Sequence, residues 1–597
     1  MLDETAVLGV VHSATGRRWQ GPDAETSRRA LALAQSADIP EIVARLLAAR
    51  GVEASDAEAY LAPTLRGLMP DPSSLADLDL AAERLAQAVE NGERIAVFGD
   101  YDVDGACASA LLQDWLAPYG IAPTIHIPDR IEEGYGPNIP AMARLGQGHD
   151  LVICVDCGTA APEPVAAAAD AGAHVIIADH HLATGTPPQA FAVVNPNRAD
   201  CGSALGQICA AGVVFLLLAG ANRLLRARGR EVPDLMAGLD LVALATVADV
   251  APLTGLNRAF VRQGLKILAG RGRPGLAALA DVAGLSAPPR SGDLGFVLGP
   301  RLNAGGRVGD AALGVQLLTA PDRESALPLA EALEAYNRSR REIEAKVLTE
   351  ATAAAEARIE ASGAMGAKPA LAWAAGEGWH PGVVGIVAGR LKDRFGCPAA
   401  VIALDGATGL GKGSARSVPG VDIGSAMSGL AAAGLLDAGG GHAMAAGLTV
   451  QADRLDDAMA ALAARLGAAG AGEARTNCLM IDGVLAPAGA TAELVSLLEA
   501  AGPFGQSSPP PRLALAAVRP TGLRLSERGH ASCRLSGPSG APLAAMAFGA
   551  AENGIGKALQ DAASAGRPLH VAGRLEIDDW GGRRRARLKI DDVAEPI

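Results

Sequence analysis

The sequence has few aromatic residues, little cysteine and no excess of positive charge. Aromatic residues make up 3% of the 597 residues, and eight cysteines are too few for a disulfide framework in so long a chain. The net charge of −13 excludes bulk attraction to nucleic acid or to an anionic membrane, so any polyanion must be held by local patches. We therefore expect reduced core cysteines and a cytoplasmic protein.

Long apolar runs are also missing. The longest, residues 208–221, falls short of the roughly 20 residues that cross a bilayer, and it predicts a buried helix. The first ten residues have neither a basic start nor a long apolar segment, so no secretory signal is visible. At about 100–200 residues per domain, a chain of this length predicts several domains.

The pattern along the chain divides it into five parts. Residues 1–75 have the composition of a peripheral lead-in. Residues 76–319 alternate short apolar strands with helices, which is typical of a parallel α/β sheet that binds ligands beyond the carboxyl ends of its strands. The remaining parts are a long charged helix suited to bridging two domains, a second α/β unit and a set of short strands typical of a small β-barrel, at 320–362, 363–470 and 476–597.

Acidic and histidine side chains follow several of the predicted strands. These residues are Asp102, Asp104, Asp156, Asp179, His180 and His181, and Asp249 follows a helical stretch. Carboxylates and imidazoles together suit Mn²⁺, Mg²⁺ or Fe²⁺, and so many carboxylates exceed what a single ion needs. Two adjacent ions are the usual means of activating water and neutralising charge in a displacement at phosphorus. Single acids at strand ends often only cap helices, but the whole set indicates a metal centre.

Seven motifs together resemble one family. Residues 99–105 (GDYDVDG), 156–158, 179–181 and 245–250 resemble the metal motifs of the DHH/DHHA1 phosphoesterases. With residues 128–136, 299–307 and 439–447 in the same order, the chain is similar to the bacterial single-strand-specific exonucleases of that family. The resemblance implies a DHH catalytic domain, a bridging helix, a DHHA1 substrate-binding domain and a C-terminal OB-type barrel that binds nucleic acid.

The same resemblance implies roles for individual residues. The expected shell of two Mn²⁺ or Mg²⁺ ions is Asp102, Asp104, Asp156, His180, His181 and Asp249, with Asp156 bridging. Asp100 and Asp179 are expected to orient these ligands by hydrogen bonds. Asp156, His181 and Arg301 are the expected catalytic residues.

Phosphate contacts are expected from three regions. In the first α/β domain, Arg301, Asn303 and Arg307 lie in a glycine-rich segment where a backbone can approach a ligand, and Arg130 precedes Tyr135. The DHHA1 resemblance implies that Ser414, Arg416 and His442 meet a DNA phosphate. Residues 478–597 carry 13 basic and 12 acidic residues, a net charge of +1, and Trp580 and Arg584 are the expected contacts of the barrel.

We therefore expect a metal-dependent exonuclease. The resemblance implies hydrolysis of single-stranded DNA from 5′ to 3′ into mononucleotides, a role in recombination and repair, a monomer, and recruitment by a helicase or a single-strand-binding protein. Two alternatives remain: a phosphodiesterase of the same superfamily that acts on short oligonucleotides or cyclic dinucleotides, and a non-catalytic scaffold that binds single strands. The small-substrate enzymes lack the long helix and the barrel, and a scaffold predicts missing ligands, whereas all six are present.

Overall fold

The computed structural model describes residues 6–129, 133–134, 136–182, 185–361, 368–472, 477–538, 540–551, 553–579 and 584–596. The N-terminal segment contains one short strand and four helices: β1 (Arg18–Gln20), α1 (Ala24–Ser36), α2 (Glu41–Ala49), α3 (Ala57–Leu61) and α4 (Leu65–Leu68). The next part holds a five-stranded sheet: α5 (Leu78–Asn91), β2 (Ile95–Gly99), α6 (Val103–Leu116), β3 (Thr124–His126), α7 (Ile139–Gly148), β4 (Leu151–Val155), α8 (Pro162–Asp170), β5 (His174–Ala178) and β6 (Ala192–Val194).

This sheet has the strand order β3-β2-β4-β5-β6, and all of its described pairings are parallel. Both β2 and β4 are buried along their full length, as expected for strands covered by helices on both faces. The prediction of a parallel α/β domain is confirmed. Because neighbouring parallel strands end at one edge, the residues after β2, β4 and β5 are brought together there.

A helical part follows the sheet and covers it. Its helices are α9 (Ala210–Ala227), α10 (Leu239–Ala248), α11 (Gly255–Ala269), α12 (Pro274–Val282), α13 (Ser291–Asp293), α14 (Gly299–Val308) and α15 (Leu313–Leu318), with a π-helical turn at Leu294–Leu298. By length and composition α9 could cross a membrane, but 72% of its apolar window is buried inside the protein. The predicted buried helix is therefore found.

The long helix α16 (Arg323–Ala361) connects this domain to the second α/β unit, as predicted. It packs against α12 and α14 at one end and against β7 and α17 at the other. The second unit contains β7 (Ala372–Glu377), α17 (Val384–Phe395), β8 (Ala399–Leu404), β9 (Leu410–Arg416), α18 (Ile423–Ala432), β10 (Ala438–His442), β11 (Ala445–Gln451) and α19 (Leu455–Ala468). Its sheet is mixed, because β7 and β8 are parallel and the other pairs are antiparallel.

The C-terminal part forms a closed barrel. Its elements are β12 (Cys478–Met480), β13 (Gly483–Leu485), α20 (Ala492–Ala500), β14 (Leu513–Leu525), β15 (Ala531–Ser536), β16 (Leu543–Ala547), α21 (Ile555–Ala565), β17 (Leu569–Asp578) and β18 (Arg585–Ala594). Strands β14, β15, β16, β18 and β17 pair in sequence, and β14 also pairs with β17, which closes the ring. Closure removes the exposed edges of the sheet.

The first residues of the chain are not peripheral, in contrast to the expectation for 1–75. Strand β1 pairs with β12, and Trp19 is fully buried with its Nε1 donating to Asp592 Oδ2 at 3.0 Å. Helix α2 shares a hydrophobic cluster with Leu498 and Leu513 of the barrel region. The composition of residues 1–75 predicted a peripheral segment. The sequence could not show otherwise, because contacts with residues more than 450 positions away leave no local pattern.

A buried arginine joins the same segment to the catalytic domain. Arg258 of α11 is 1% exposed, and its guanidinium donates to the carbonyl oxygens of Tyr60, Ala501, Gly502 and Pro503 at 2.6–3.1 Å. The guanidinium also lies 3.9 Å from the centre of the Tyr60 ring. Four carbonyls and a π face replace the carboxylate that a buried arginine usually pairs with.

Candidate metal centre and active site

The centre lies where three neighbouring strands of the parallel sheet end. Asp100, Asp156 and Asp179 follow β2, β4 and β5, and each continues the sheet by one backbone hydrogen bond to the next strand. All three are at least 97% buried. The strands therefore place three carboxylates side by side in a site with little water, where unpaired charge is costly.

Three overlapping groups of side chains have ligand atoms within 4.8 Å of one another. The groups are Asp156, His180 and His181; Asp104, His180 and Asp249; and Asp100, Asp102 and Asp156. His180 Nε2 lies 3.2 Å from Asp156 Oδ1 and 3.7 Å from Asp104 Oδ2, and Nδ1 lies 3.9 Å from Asp249 Oδ2. All six residues predicted as ligands are thus brought together, and Asp100, expected only to orient them, has a ligand atom within the same distance.

Asp156 lies at the junction of two of these groups. Its backbone has φ +61°, a left-handed conformation that is uncommon for a residue other than glycine and is typical of strained functional sites. Its Oδ1 is buried and accepts no hydrogen bond from the described residues. Burial and the carboxylates of Asp104 and Asp102 raise the pKa of Asp156 well above its ordinary value. A divalent cation would satisfy this oxygen and neutralise the cluster, so the side chains present fit such an ion.

Asp102 and Asp104 owe their positions to two helix N-termini. Asp102 caps α6, with Oδ1 accepting from the backbone N–H of Asp104 and Gly105. Asp104 accepts from the first N–H groups of α9, at 2.6 Å from Ala210 and 2.8 Å from Ala211. The contact with α9 was not predicted, because 106 residues separate the partners.

Asp179 holds His181 in place. His181 Nδ1 donates to Asp179 Oδ1 at 2.8 Å, which leaves Nε2 as the ring atom that can ligate a metal. Burial by itself lowers the pKa of His181, but the hydrogen bond and charge of Asp179 raise it to about 9. Burial by itself raises the pKa of Asp179, but the hydrogen bond from His181 holds it below its ordinary value. The orienting role expected of Asp179 agrees with this geometry.

Two asparagines that the sequence analysis missed support the histidine pair from behind. Asn195 Nδ2 donates to His181 O at 2.9 Å and to Thr159 Oγ1 at 3.0 Å, and Asn197 Nδ2 donates to His180 O at 2.5 Å. Their position directly after strand β6 was the available signal, since residues at that edge point toward the site.

Asp249 closes the centre from the helical side. It follows the last residue of α10, and its side chain is 30% exposed. Burial and the carboxylates of Asp104 and Asp102 raise the pKa of Asp249 to about 8.

The glycine-rich segment at 299–307 lies in the helix α14, in contrast to the expectation that its backbone could approach a ligand. Asn303 Oδ1 accepts from Val103 N at 3.2 Å, between the two aspartates of the first motif. Arg307 Nη1 donates to Gly382 O of the second α/β unit. Arg301 is 7% exposed and donates from Nε to Glu334 Oε2 at 2.5 Å and from Nη1 to Val297 O. The glycines serve close packing: a Cβ at Gly306 would lie 2.7 Å from Tyr101 O.

In the second α/β unit, the strand register aligns the predicted phosphate contacts. Arg416 of β9 lies opposite Ala445 of β11, which lies opposite His442 of β10, so their side chains leave the same face of the sheet. Ser414 lies two residues from Arg416 on that face. A Cβ at Gly385, in the first turn of α17, would lie 2.9 Å from Arg416 Nη2.

The basic hairpin of the barrel is largely paired with acids. Arg587 donates twice to Glu576, and Arg584 lies 3.7 Å from Asp579, although both of the latter side chains are about two-thirds exposed. Electrostatic grip by this hairpin is therefore weaker than its sequence suggests. Trp580, Arg130 and Tyr135 lie outside the described residues.

Comparison with known proteins gives a consistent result over nearly the whole chain. Residues 94–246 match the model of the DHH family N-terminal domain, 367–468 that of the DHHA1 domain and 481–592 that of the RecJ OB domain. The chain is 36% identical to the single-stranded-DNA-specific exonuclease RecJ of Dickeya dadantii and 35% identical to that of Escherichia coli, in both cases over 93% of this chain and 96% of the relative.

Solved structures give the same picture. The crystal structure of RecJ in complex with Mn²⁺ from Thermus thermophilus superimposes with a TM-score of 0.78, at 27% identity, over 97% of this chain and 80% of that one. The structure of the same protein with Mg²⁺ gives a TM-score of 0.72, at 26% identity, over 97% and 78%.

Proposed function

The chain belongs to the RecJ family, and from this premise we propose that it is a metal-dependent exonuclease that degrades single-stranded DNA from the 5′ end to mononucleotides. The observation that carries the proposal is the cluster of seven carboxylate and imidazole side chains, which form three overlapping groups; Asp156 and His180 each belong to two of these groups. A shared carboxylate suits two ions better than one, so we propose two Mn²⁺ or Mg²⁺ ions bridged by Asp156. The two crystal structures of RecJ from Thermus thermophilus contain Mn²⁺ in one case and Mg²⁺ in the other.

The residues of the site have different roles in the proposed reaction. Asp102, Asp104, Asp156, His180, His181 and Asp249 would hold the ions, which supply an activated water and neutralise charge on the phosphate when bound. Asp179 keeps His181 Nε2 directed at the site, and Asn303 fixes the first residue of α6, between Asp102 and Asp104.

Arg301 has a narrower role than the sequence suggested. Its Nε and Nη1 are held by Glu334 and Val297 O, and no described residue accepts a hydrogen bond from Nη2. We propose that this fixed guanidinium presents Nη2 to the scissile phosphate, preorganised by Glu334 to stabilise the charge that develops there.

The strand would run from the second α/β unit, where its terminal phosphate is proposed to bind, past the metal centre toward the barrel. Arg307 connects the centre to the loop at Gly382, and Ser414, Arg416 and His442 line a common sheet face on which a terminal phosphate is proposed to bind. The barrel, with Trp580 and Arg584, would hold the distal part of the strand, and Arg130 and Tyr135 would contact it near the centre.

We further propose a cytoplasmic monomer that acts in recombination and repair and is recruited by a helicase or a single-strand-binding protein. All eight cysteines are free thiols, which suits a reducing compartment. A phosphodiesterase for small substrates is less favoured, because the relatives match this chain over its long helix and barrel as well. A non-catalytic scaffold is less favoured because its metal cluster would have no use.

The test is degradation of single-stranded DNA labelled at either end, with blunt duplex as control. Metal-stripped protein is supplied with Mn²⁺ or Mg²⁺, beside Asp156→Ala and the matched surface variant Asp150→Ala. We expect mononucleotides from the 5′ label at once, with no cleavage of duplex, full activity of Asp150→Ala and none of Asp156→Ala. Cleavage confined to very short oligonucleotides would favour the small-substrate enzyme, and binding without cleavage under either metal would favour the scaffold.

A further inference from the structure

One aromatic side chain stands out on the surface of a protein that has few aromatic residues. Phe296 is 81% exposed, more than any other large hydrophobic side chain in the described part of the chain. A single exposed apolar residue is ordinary in itself. Phe296, however, lies at the centre of the π-helical turn Leu294–Leu298, a rare geometry that is frequent at functional sites. Leu294 and Leu298 anchor the turn in the core and leave Phe296 on the opposite side.

The turn lies beside the metal centre. A Cβ at Gly295 would lie 3.3 Å from Val247 Cγ1, so the turn packs on the last residues of α10, directly before Asp249. Val250, next after Asp249, is 63% exposed and has φ +59°, which is a clear outlier for a β-branched residue. The π-helical turn therefore packs on the end of α10, which is followed by Asp249 and by the exposed Val250 with its unusual backbone conformation.

The helix that carries Phe296 also carries residues that contact the metal motif and the second α/β unit. From 291 to 308 the turn and its flanking helices are continuous, and the exposed or half-buried positions Gly292, Phe296, Pro300, Asn303 and Arg307 follow one another at helical spacing, so they share one face.

Two of these residues show where that face points. Asn303 contacts the backbone between Asp102 and Asp104, and Arg307 contacts Gly382 of the second α/β unit. At 1.5 Å per residue, Phe296 lies about 10 Å along the same face from Asn303. The face thus runs from the second α/β unit past the metal motif to Phe296.

We propose that Phe296 is a stacking platform for one unpaired base of the strand whose phosphate lies at the metal centre. This inference rests on the function proposed above and adds a residue that selects for single strands. A base in a single strand offers a free π face to Phe296, whereas a base in a duplex is already stacked on both sides and must be flipped out first. Stacking on an aromatic ring is tolerant of sequence, as an exonuclease requires.

The experiment is a double-mutant cycle between the protein and the DNA. Short single strands that carry one abasic residue, scanned from each end, are bound in EDTA to wild type, Phe296→Ala, Phe296→Trp and the control Leu80→Ala, an exposed apolar residue on α5. We expect Phe296→Ala to weaken binding of the intact strand about 10-fold, Phe296→Trp to retain it and Leu80→Ala to have no effect. At one abasic position, wild type should lose the same factor and Phe296→Ala should lose nothing more.

Each outcome decides one question. Losses that add at every abasic position, or a Phe296→Ala affinity equal to that of wild type, would overturn the stacking role. Because Phe296 is on the surface, loss of folding is not expected, and equal thermal unfolding of the variants checks it. If wild type does not degrade single strands at all, the proposed function fails, while the binding cycle, measured without metal, still decides whether Phe296 stacks on a base.

Discussion

Replacing Asp179 with asparagine tests how the site prepares a histidine for metal binding. The Asp179 carboxylate accepts from His181 Nδ1 and raises the pKa of His181 to about 9 in the metal-free protein. A metal ligates only the neutral ring, so in wild type a proton must leave before an ion can bind. In Asp179→Asn the largest raising contributions, the hydrogen bond and the charge of Asp179, are gone, and the pKa of His181 falls toward its ordinary value of 6.5.

The two proteins should therefore respond differently to pH. For a group with a pKa near 9, the neutral fraction rises about 90-fold between pH 6 and pH 8, and for a pKa of 6.5 it rises only about fourfold. Asp249 titrates in the same range, and because the charge of His181 lowers the pKa of Asp249, the two titrations are coupled. The ratio of the Mn²⁺ dissociation constants, variant to wild type, should thus increase roughly 20-fold from pH 6 to pH 8. Loss of ring orientation adds a pH-independent weakening of about 10–100-fold.

The assay is titration calorimetry of metal-stripped protein with Mn²⁺ across this pH range, in buffers of different ionisation enthalpy so that released protons are counted. Asp200→Asn is the matched control, because Asp200 is an exposed carboxylate that pairs with Arg198 away from the centre. It should follow wild type at every pH. A ratio for Asp179→Asn that stays within threefold from pH 6 to pH 8 would refute the argument that Asp179 sets the protonation of His181.

Two further predictions concern structure and positioning. Trp19→Ala should lower the free energy of unfolding by about 3–5 kcal/mol, because it empties a fully buried site and leaves Asp592 Oδ2 without its donor. Urea unfolding measures this change, and a loss below about 1 kcal/mol would mean that the segment around Trp19 is peripheral. Asn303→Ala should raise the Mn²⁺ concentration for half-maximal activity at least several-fold, since Val103 N, between Asp102 and Asp104, loses its acceptor. An unchanged dependence on Mn²⁺ with reduced affinity for DNA would instead assign Asn303 to phosphate binding.

The location of the candidate metal centre could be predicted from the sequence, because in a parallel sheet the residue that follows a strand has a known position. A buried strand followed by an acid places that acid at the carboxyl edge, and neighbouring parallel strands must share that edge. The positions of Asp156 and Asp179 therefore follow from the strands before them. The bridging helix α16 and the barrel were likewise readable from local periodicity, since charge spacing and strand alternation are properties of adjacent residues.

Contacts between distant parts of the chain could not be predicted from the sequence. The N-terminal segment packs on the barrel region through β1 and Trp19. Asp104 accepts a hydrogen bond from the first residue of α9, and Arg301 donates one to Glu334. None of these partners is close in sequence.

The sequence by itself thus predicted which acidic and histidine side chains are brought together at the edge of the parallel sheet, and it predicted the DHH, DHHA1 and OB domains. Only the tertiary structure decided which charged groups are already paired, as in the barrel hairpin where Arg587 is held by Glu576, and which remain available to a ligand. The physical reason is that a residue type states what a side chain can bind, whereas its actual partner depends on distances between segments that are set by packing of the whole chain.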